Sequence, residues 1–272
     1  MNNLIRPEGY QIQAPIWERL FQAKERNFNV SAQVVGITYP NDQPTWVLSF
    51  PDYSEIKGLV PATETDLSEI NLMSKFVGQP INVRIKGLNQ EEGMVACSRK
   101  EAVDSLRQKL FDQLKEGDLI KCVVKAVMAR NEDKPARLLV DVGGGVLSEV
   151  SYRQAAIRLA QRLDQQYLLG QVVNAVVKQI DQGDIKVSIK DAYGDPWDKI
   201  DFRRGEFLSG TICFIRNNHV WVEPDMAPGV LGLTSIPLAG GLRRGDKVSC
   251  MVASFSQEEK KLRLRLRGKR KR

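Results

Sequence analysis

With 272 residues and 42% apolar residues, the chain has the length and composition of one large or several small globular domains. No apolar run approaches the roughly 20 residues that a membrane helix needs, and residues 1–13 lack the basic-then-apolar layout of a signal peptide. We therefore expect a cytoplasmic protein without a membrane partner.

Positive charge is concentrated at the carboxyl-terminal end. The formal net charge is +7, and residues 201–272 contain 15 Lys and Arg against 7 Asp and Glu, a balance of +8 that leaves −1 for residues 1–200. Such an asymmetry indicates a polyanionic partner for that end.

One sequence pattern occurs three times: a glycine, a run rich in β-branched residues, a polar turn, and a second such run. The copies begin at Gly78, Gly170 and Gly245. Two such runs across a short turn are typical of a β-hairpin. The spacings of 92 and 75 residues are too long for a solenoid and suit small domains. The chain is therefore predicted to contain three domains.

The first domain is predicted over 28–99, after an N-terminal helical segment at 1–27. Ile16, Leu20 and Ala23 recur at helical spacing in that segment, which we expect to pack on the first domain. The domain itself shows three strand candidates, a capped helical turn near Thr65, and the hairpin. Five strands with a helix between the third and the fourth predict an OB-type barrel.

A linker helix is predicted over 100–116, because its leucines and Val103 fall on one stripe. The second domain, over 117–190, contains a triple glycine after its second strand. No Gly-Lys-Ser/Thr follows it, so a tight turn is favoured over a phosphate loop. Beyond it we predict a helix that Ser151 caps and that carries Ala156, Leu159, Leu163 and Tyr167 on one face.

Residues 191–204 read as a second linker, in which Pro196 interrupts any helix and favours a junction that bends more easily than the first. The third domain is predicted over 205–268, with strands at 207–215, 219–223 and 230–236 before its hairpin. Residues 269–272 form a basic tail that we expect to be disordered.

With these motifs laid out, the chain resembles tandem RNA-binding domains of the family named after ribosomal protein S-one of the bacterial small subunit. The resemblance covers about 28–268 and rests on three ordered copies of the motif set. The segments that carry it are IKGLVPA, GQPINVRI and CSRKEA in the first copy, LLVDVGG, GQVVNAVVKQID and VSIKDA in the second, and LSGTICFI, VWVE, LGL and GDKVSCMV in the third.

The resemblance implies a mostly β fold of three tandem five-stranded OB-type barrels that bind single-stranded RNA (mRNA), with the small ribosomal subunit as a further partner. The family's stacking aromatic on the second strand is matched by Trp46 and Trp221, whereas the second copy has Leu139. The second domain is therefore expected to be mainly a structural spacer.

The residues of the third copy predict an RNA site independently. On its last strand, Leu262, Leu264 and Leu266 alternate with Lys261, Arg263, Arg265 and Arg267, which places a row of cations on the solvent face. A row of like charge is unfavourable on its own, so a polyanion is the simple explanation. A solvated strand face at a domain edge is the alternative.

On the second strand of this copy, His219, Trp221 and Glu223 should share one face. An aromatic beside a cationic groove is the arrangement with which OB-type barrels bind single strands. For Trp221 the alternative is a partly buried packing residue. The candidate RNA-binding residues are Trp221, His219, Lys261, Arg263, Arg265, Arg267, Trp46, Arg84, Lys86, Tyr152, Arg153 and Lys186.

No catalytic or metal-binding constellation is visible. The single histidine cannot be paired with a nucleophile by spacing, and the four separated cysteines favour buried thiols over disulfides or zinc. We therefore expect no enzyme activity, no cofactor and no metal. Two hypotheses remain: a non-catalytic single-stranded RNA-binding protein acting in translation or RNA handling, and a protein-interaction adaptor that docks on the ribosome or an RNA-processing complex.

Overall fold

The computed structural model describes residues 16–51, 53–132, 134–181, 183–236 and 241–269. Strands dominate this part of the chain and fall into three five-stranded groups, of which the first and third are closed barrels. The predicted fold, three tandem OB-type barrels, is confirmed. None of the described helices is long and apolar enough to span a membrane.

The first barrel follows helix α1 (Ile16–Glu25), whose Leu20 is buried. Its strand order is β1-β2-β3-β5-β4, and a parallel β3–β5 pairing closes it. A 3-10 helix over Ile70–Phe76 lies between the third and fourth strands and buries Phe76 in the core. The strands are β1 (Val30–Thr38), β2 (Thr45–Phe50), β3 (Tyr53–Pro61), β4 (Pro80–Asn89) and β5 (Met94–Ser98).

The predicted linker helix is present as α2 (Arg99–Gln113). Its first residue is buried, and the Arg99 guanidinium donates to the backbone carbonyls of Thr65 at 2.8 Å and Gly145 at 2.6 Å. The chain divides into two compact units, residues 1–112 with 144–146, and residues 113–143 with 147–272. The bounds proposed for the three domains stay predictions.

The second group is a five-stranded sheet in the order β10-β9-β6-β7-β8, without the pairing between its outer strands that closes the other two. The triple glycine forms the predicted tight turn, since Gly143, Gly144 and Gly145 all have positive φ angles that favour glycine. The strands are β6 (Leu119–Met128), β7 (Arg137–Gly143), β8 (Val146–Ser151), β9 (Val172–Asp181) and β10 (Asp184–Ser188).

The prediction of a long helix after Ser151 is wrong. Two four-residue helices, α3 (Tyr152–Ala155) and α4 (Leu163–Gln166), stand in its place. The side chain of Gln166, the last residue of α4, binds the segment between the two helices. It accepts from the amides of residues 157 and 158 and donates to the carbonyls of residues 158 and 161. These bonds satisfy backbone groups that a continuous helix would have paired internally.

The third group closes in the order β11-β12-β13-β15-β14. The first two strands are joined by Asn217 and Asn218, whose φ angles of 48° and 61° are those of a two-residue hairpin turn. The strands are β11 (Phe207–Arg216), β12 (His219–Pro224), β13 (Gly232–Ser235), β14 (Lys247–Ser256) and β15 (Lys261–Lys269). Lys269, expected in a disordered tail, ends β15, and residues 270–272 lie outside the described part.

The second linker is tied to the third barrel. It contains helix α5 (Ile189–Ala192) and a 3-10 helix over Pro196–Lys199. Trp197 stacks on Phe255 with ring centroids 6.2 Å apart, and Phe202 is buried in the barrel core. The expectation of an easily bent junction is not supported, because these contacts hold the segment against the barrel.

A buried carboxylate fixes the segment between α3 and α4 to β12. Glu223 is 3% exposed and accepts from the backbone amides of Leu159 and Ala160, each at 2.9 Å. It also accepts from the amide of Gly229 at 2.7 Å. The carboxylate thus accepts hydrogen bonds from three backbone N–H groups that no strand or helix pairs here.

Glu223→Gln should lower the free energy of unfolding by about 1–3 kcal/mol, because an amide oxygen replaces two charged acceptor atoms. Amide hydrogen exchange at Leu159 and Ala160 should accelerate selectively. Glu206→Gln is the matched control, since that carboxylate accepts one exposed amide, from Arg203. Unchanged exchange at Leu159 and Ala160 in Glu223→Gln would show that the carboxylate does not hold this segment.

Candidate nucleic-acid interface

An exposed aromatic pair lies on the outer face of the third barrel. The rings of Phe214 on β11 and Trp221 on β12 are stacked, with centroids 4.6 Å apart and planes 22° from parallel. Phe214 is 41% exposed and Trp221 is partly exposed. The ring of His219 lies 6.0 Å from that of Trp221. The three rings form an aromatic cluster that is partly exposed to solvent.

The surface continues across the barrel to a cation. Trp221 is paired with Leu233 on β13, and Leu233 is paired with Arg263 on β15. Residues that are paired across adjacent strands point to the same face of the sheet. The outer face therefore has a row Phe214–Trp221–Leu233–Arg263, which places an arginine two strands from the aromatic pair.

The alternation predicted for the last strand is confirmed. Leu262 and Leu264 are buried and Leu266 is half-buried, whereas the four cations of β15 are exposed. Among the described residues, neither Arg263 nor Arg265 has a carboxylate within ion-pair distance. The other two cations have partners: Lys261 pairs with Glu259 at 3.0 Å, and Arg267 donates to the sulfur of Met251 at 3.2 Å.

The prediction of Trp46 as a stacking residue is wrong. Its side chain is fully buried, packs against Phe76 with centroids 5.4 Å apart, and donates its indole N–H to the carbonyl of Met73 at 3.0 Å. No face of the ring is open to a base. Trp46 is a core residue of the first barrel.

The error has a definite origin in strand register. The first strand of each group has a β-bulge. In the third barrel, the first residue after the bulge is Phe214, which is paired with Trp221. Counted from the bulge, the equivalents of Trp221 are Val47 and Leu139, and Trp46 is equivalent to the buried Val220. A shift of one residue moves a side chain to the opposite face of a strand.

Only the third barrel, within the described part of the chain, has aromatic side chains at the two facing positions after the bulge. The first barrel has Gly36 and Val47 there, and the second has Ala126 and the buried Leu139. Sequence inspection missed Phe214, because the bulge at Cys213 that turns it outward is not visible in the hydrophobic pattern.

The predicted face of β12 needs a second correction. His219 and Trp221 are open to solvent as expected, but Glu223 is buried by the backbone of residues 159, 160 and 229. Glu223 is therefore not available to a ligand. The open part of the strand is its first half.

The candidate cations of the other two barrels are engaged by nearby groups. Lys86 forms an ion pair with Glu101, and Lys186 lies 3.5 Å from a carboxylate oxygen of Asp181. Arg84 is half-buried and donates to the side-chain oxygen of Asn29 at 3.3 Å. The carboxylates offset the charge of the two lysines, and the Asn29 side chain occupies one donor of Arg84, so all three remain predictions without support from the geometry.

Tyr152 and Arg153 lie in α3 and are not part of the row that strand pairing defines on the third barrel. The Tyr152 hydroxyl donates to the carbonyl of Leu159 at 3.3 Å. Burial raises the pKa of Tyr152, opposed by the nearby Arg244. Arg153 is exposed. Neither residue is brought next to Trp221 by a described contact, and both stay predictions.

The four cysteines are buried free thiols, as the sequence predicted. Burial raises the pKa of Cys97, Cys122 and Cys213 to about 12 and that of Cys250 to about 11, so none is an activated nucleophile at neutral pH. Within the described ranges, no group of three or more His, Cys, Asp and Glu side chains could hold a metal ion.

Comparison with known proteins finds relatives among bacterial ribosomal proteins. Small ribosomal subunit protein bS1 of Staphylococcus saprophyticus is 29% identical over 238 residues, covering 78% of this chain and 56% of the relative. The protein of the same name from Staphylococcus epidermidis is 29% identical over 197 residues, covering 66% and 46%. This chain is similar in sequence to bacterial small ribosomal subunit protein bS1. The resemblance drawn from the motifs is thereby confirmed.

The similarity to bS1 has a limited extent. The chain spans about half the length of the bS1 relatives that it matches. No protein-family model matches the chain. A solved multidomain protein with nucleic acid binding domains from Streptococcus pneumoniae aligns with 88% of this chain and 73% of its own, at 11% identity and a TM-score of 0.25.

Proposed function

We propose that this chain is a non-catalytic single-stranded RNA-binding protein that acts in translation or mRNA handling. The observation that carries the proposal is the Phe214–Trp221 stack, with Arg263 in the same row and, in the described part of the chain, no carboxylate within ion-pair distance of its guanidinium. Base stacking on aromatics, combined with cations along the backbone, is the way in which OB-type barrels bind unpaired strands.

In this proposal a base stacks on the exposed face of Trp221, whose orientation the Phe214 ring fixes from the other side. The guanidinium groups of Arg263 and Arg265 meet the phosphates, because these two exposed cations of β15 have no side-chain partner among the described residues, whereas Arg267 donates to the Met251 sulfur. Guanidinium–phosphate contacts are charge-assisted and can be bidentate. The aromatic and cationic parts thus act on different parts of one nucleotide strand.

The relatives support the setting of the proposal. Their name places them in the small ribosomal subunit. We propose the small subunit as a partner of this chain and mRNA as its RNA. The concentration of positive charge in residues 201–272 supports a polyanion at the same barrel that carries the aromatic pair.

The double substitution Arg263→Gln with Arg265→Gln should flatten the salt dependence of RNA binding. Each phosphate contact on a single strand contributes ~0.7 to the slope of log affinity against log salt, so the slope should fall by ~1.4. Fluorescence anisotropy with a U-rich oligonucleotide across a salt series measures it.

Lys178→Gln and Lys247→Gln are the matched controls for this slope, because each lysine is paired with a carboxylate, of Asp191 and Asp225 respectively, and neither is a candidate contact. They should leave the slope unchanged. An unaltered slope in the double arginine variant would remove both arginines from the site, and wild-type affinity that does not fall as salt rises would count against RNA binding itself.

One observation favours the alternative, a protein-interaction adaptor. Four large apolar side chains of the second group are more than half exposed: Leu119, Leu168, Leu169 and Val172. Exposed apolar patches mark protein-binding surfaces. Capture of partners from nuclease-treated lysate separates the two functions, since a ribosomal or nuclease partner that survives RNA removal and is lost in Leu168→Asp supports the adaptor.

A further inference from the structure

A second exposed aromatic lies elsewhere on the third barrel. Phe207, at the start of β11, is 65% exposed. It is paired with Met251 on β14, which is paired with Arg265 on β15. Arg267 donates from Nη2 to the Met251 sulfur at 3.2 Å. The outer face of these three strands therefore places an open aromatic ring and a methionine beside two exposed guanidinium groups.

The second group of strands shows that the fold alone does not require this arrangement. At the equivalent position it has Leu119, also exposed at 63%, which is paired with Val176 and through it with Ser188. There a leucine stands where the third barrel has the ring of Phe207, and Ser188 and Lys190 stand where it has Arg265 and Arg267. Of these two groups, only the third barrel combines a ring with two guanidinium groups at these positions.

We propose that Phe207, Met251, Arg265 and Arg267 form a second nucleotide subsite, which takes a base on the Phe207 ring and the adjoining phosphate on the two arginines. The inference rests on the proposed RNA-binding function. Charge selects the occupant: the cluster has two guanidinium groups and, among the described residues, neither is in an ion pair, so a polyanionic strand complements it.

The path between the two subsites is continuous over the outer face. From Trp221 it crosses two strand spacings to Arg263, runs two residues along β15 to Arg265, and crosses two more spacings to Phe207. With ~4.8 Å between strands and ~3.3 Å per residue, this path is ~26 Å long.

That length sets the RNA that can use both subsites. A tetranucleotide with three stacked steps of ~3.4 Å extends ~10 Å and fills one subsite, whereas the 11 steps of a dodecamer extend ~37 Å and reach both. Single OB-type barrels bind sites of about 4–16 nucleotides, so a path of this length is within their range.

The test measures the affinity of the full chain for a tetrauridylate and a dodecauridylate by anisotropy, with Phe207→Ala. The variant should bind the dodecamer about 5- to 150-fold more weakly, the range expected for one stacked base, while its affinity for the tetramer stays that of the wild type. Leu119→Ala, the equivalent position in the second group, should change neither affinity. Circular dichroism should show an unaltered fold, because Phe207 is largely exposed.

Two outcomes would overturn the subsite. Wild-type affinity of Phe207→Ala for the dodecamer would show that the ring does not contact RNA, and would leave protein docking as the use of this face. An equal loss for both lengths would mean that there is no separate second subsite. Trp221→Ala keeps these results distinct from the proposed function: if it binds both oligonucleotides normally, RNA binding at the first subsite fails, whatever Phe207→Ala does.

Discussion

Trp221→Ala should weaken the binding of a U-rich single-stranded RNA by about 1–3 kcal/mol, or roughly 5- to 150-fold in affinity. The Trp221 ring is stacked on Phe214 and is partly exposed, so its substitution removes the ring on which a base would stack. Fluorescence anisotropy at constant salt gives the affinity directly.

Trp221→Phe provides the first control, since it retains a ring above Phe214 and should retain most of the affinity. Tyr39→Ala provides the second, because Tyr39 is a 64% exposed aromatic on the first barrel, outside the proposed site. It should leave RNA binding unchanged. A folded Trp221→Ala protein that binds RNA with wild-type affinity would remove stacking on Trp221 from the account.

Trp46→Ala should have the converse effect, with a loss of about 3–5 kcal/mol in the stability of the first barrel and no direct loss of RNA affinity. The substitution empties a fully buried site beside Phe76 and leaves the carbonyl of Met73 without its indole donor. Urea denaturation followed by hydrogen exchange of the β1–β4 amides localises the loss to this barrel.

Trp46→Phe separates the two contributions to this loss. It keeps a ring against Phe76 and removes the hydrogen bond to Met73, so it should be less destabilising than the alanine variant. The result that contradicts the core assignment is a Trp46→Ala protein with wild-type stability and weakened RNA binding. Trp221→Ala, in contrast, should cost little stability, because its ring is partly exposed.

The strand pattern of the third domain was predictable because it is local. From Lys261 to Arg267 of β15 every second residue is a leucine, and a period of two fixes which side chains face the core without reference to any other strand. The turn at Gly143–Gly145 was predictable for the same reason, because its positive φ angles require only that glycine stand at these positions. The three barrels followed from the order of such elements.

The aromatic site was predictable only in part, because the outward turn of Phe214 depends on a bulge in β11 that the sequence pattern does not show. Trp46, in contrast, shares the inward face of β2 with Leu48 and Phe50, so its burial follows from the alternation of β2 itself. An aromatic residue looks the same in the sequence on either face. Matching Trp46 to Trp221 by residue type therefore displaced the alignment by one position.

The prediction of a long helix after Ser151 was wrong because of contacts that the local sequence pattern does not show. Leu159 and Leu163 have helical spacing, but the amides of Leu159 and Ala160 bind the Glu223 carboxylate, more than 60 residues further along the chain. Tertiary hydrogen bonds of this kind override helix propensity. They also bury Glu223, which the alternation of β12 had placed on the open face.

Ultraviolet crosslinking of a U-rich oligonucleotide to the full chain, with the crosslinked peptides identified by mass spectrometry, tests whether single-stranded RNA binds at the Phe214–Trp221 pair. We expect adducts in the peptides that contain Phe214 and Trp221, and we expect their loss in Trp221→Ala. Adducts confined to peptides of the first two barrels, with none on β11 or β12, would contradict it.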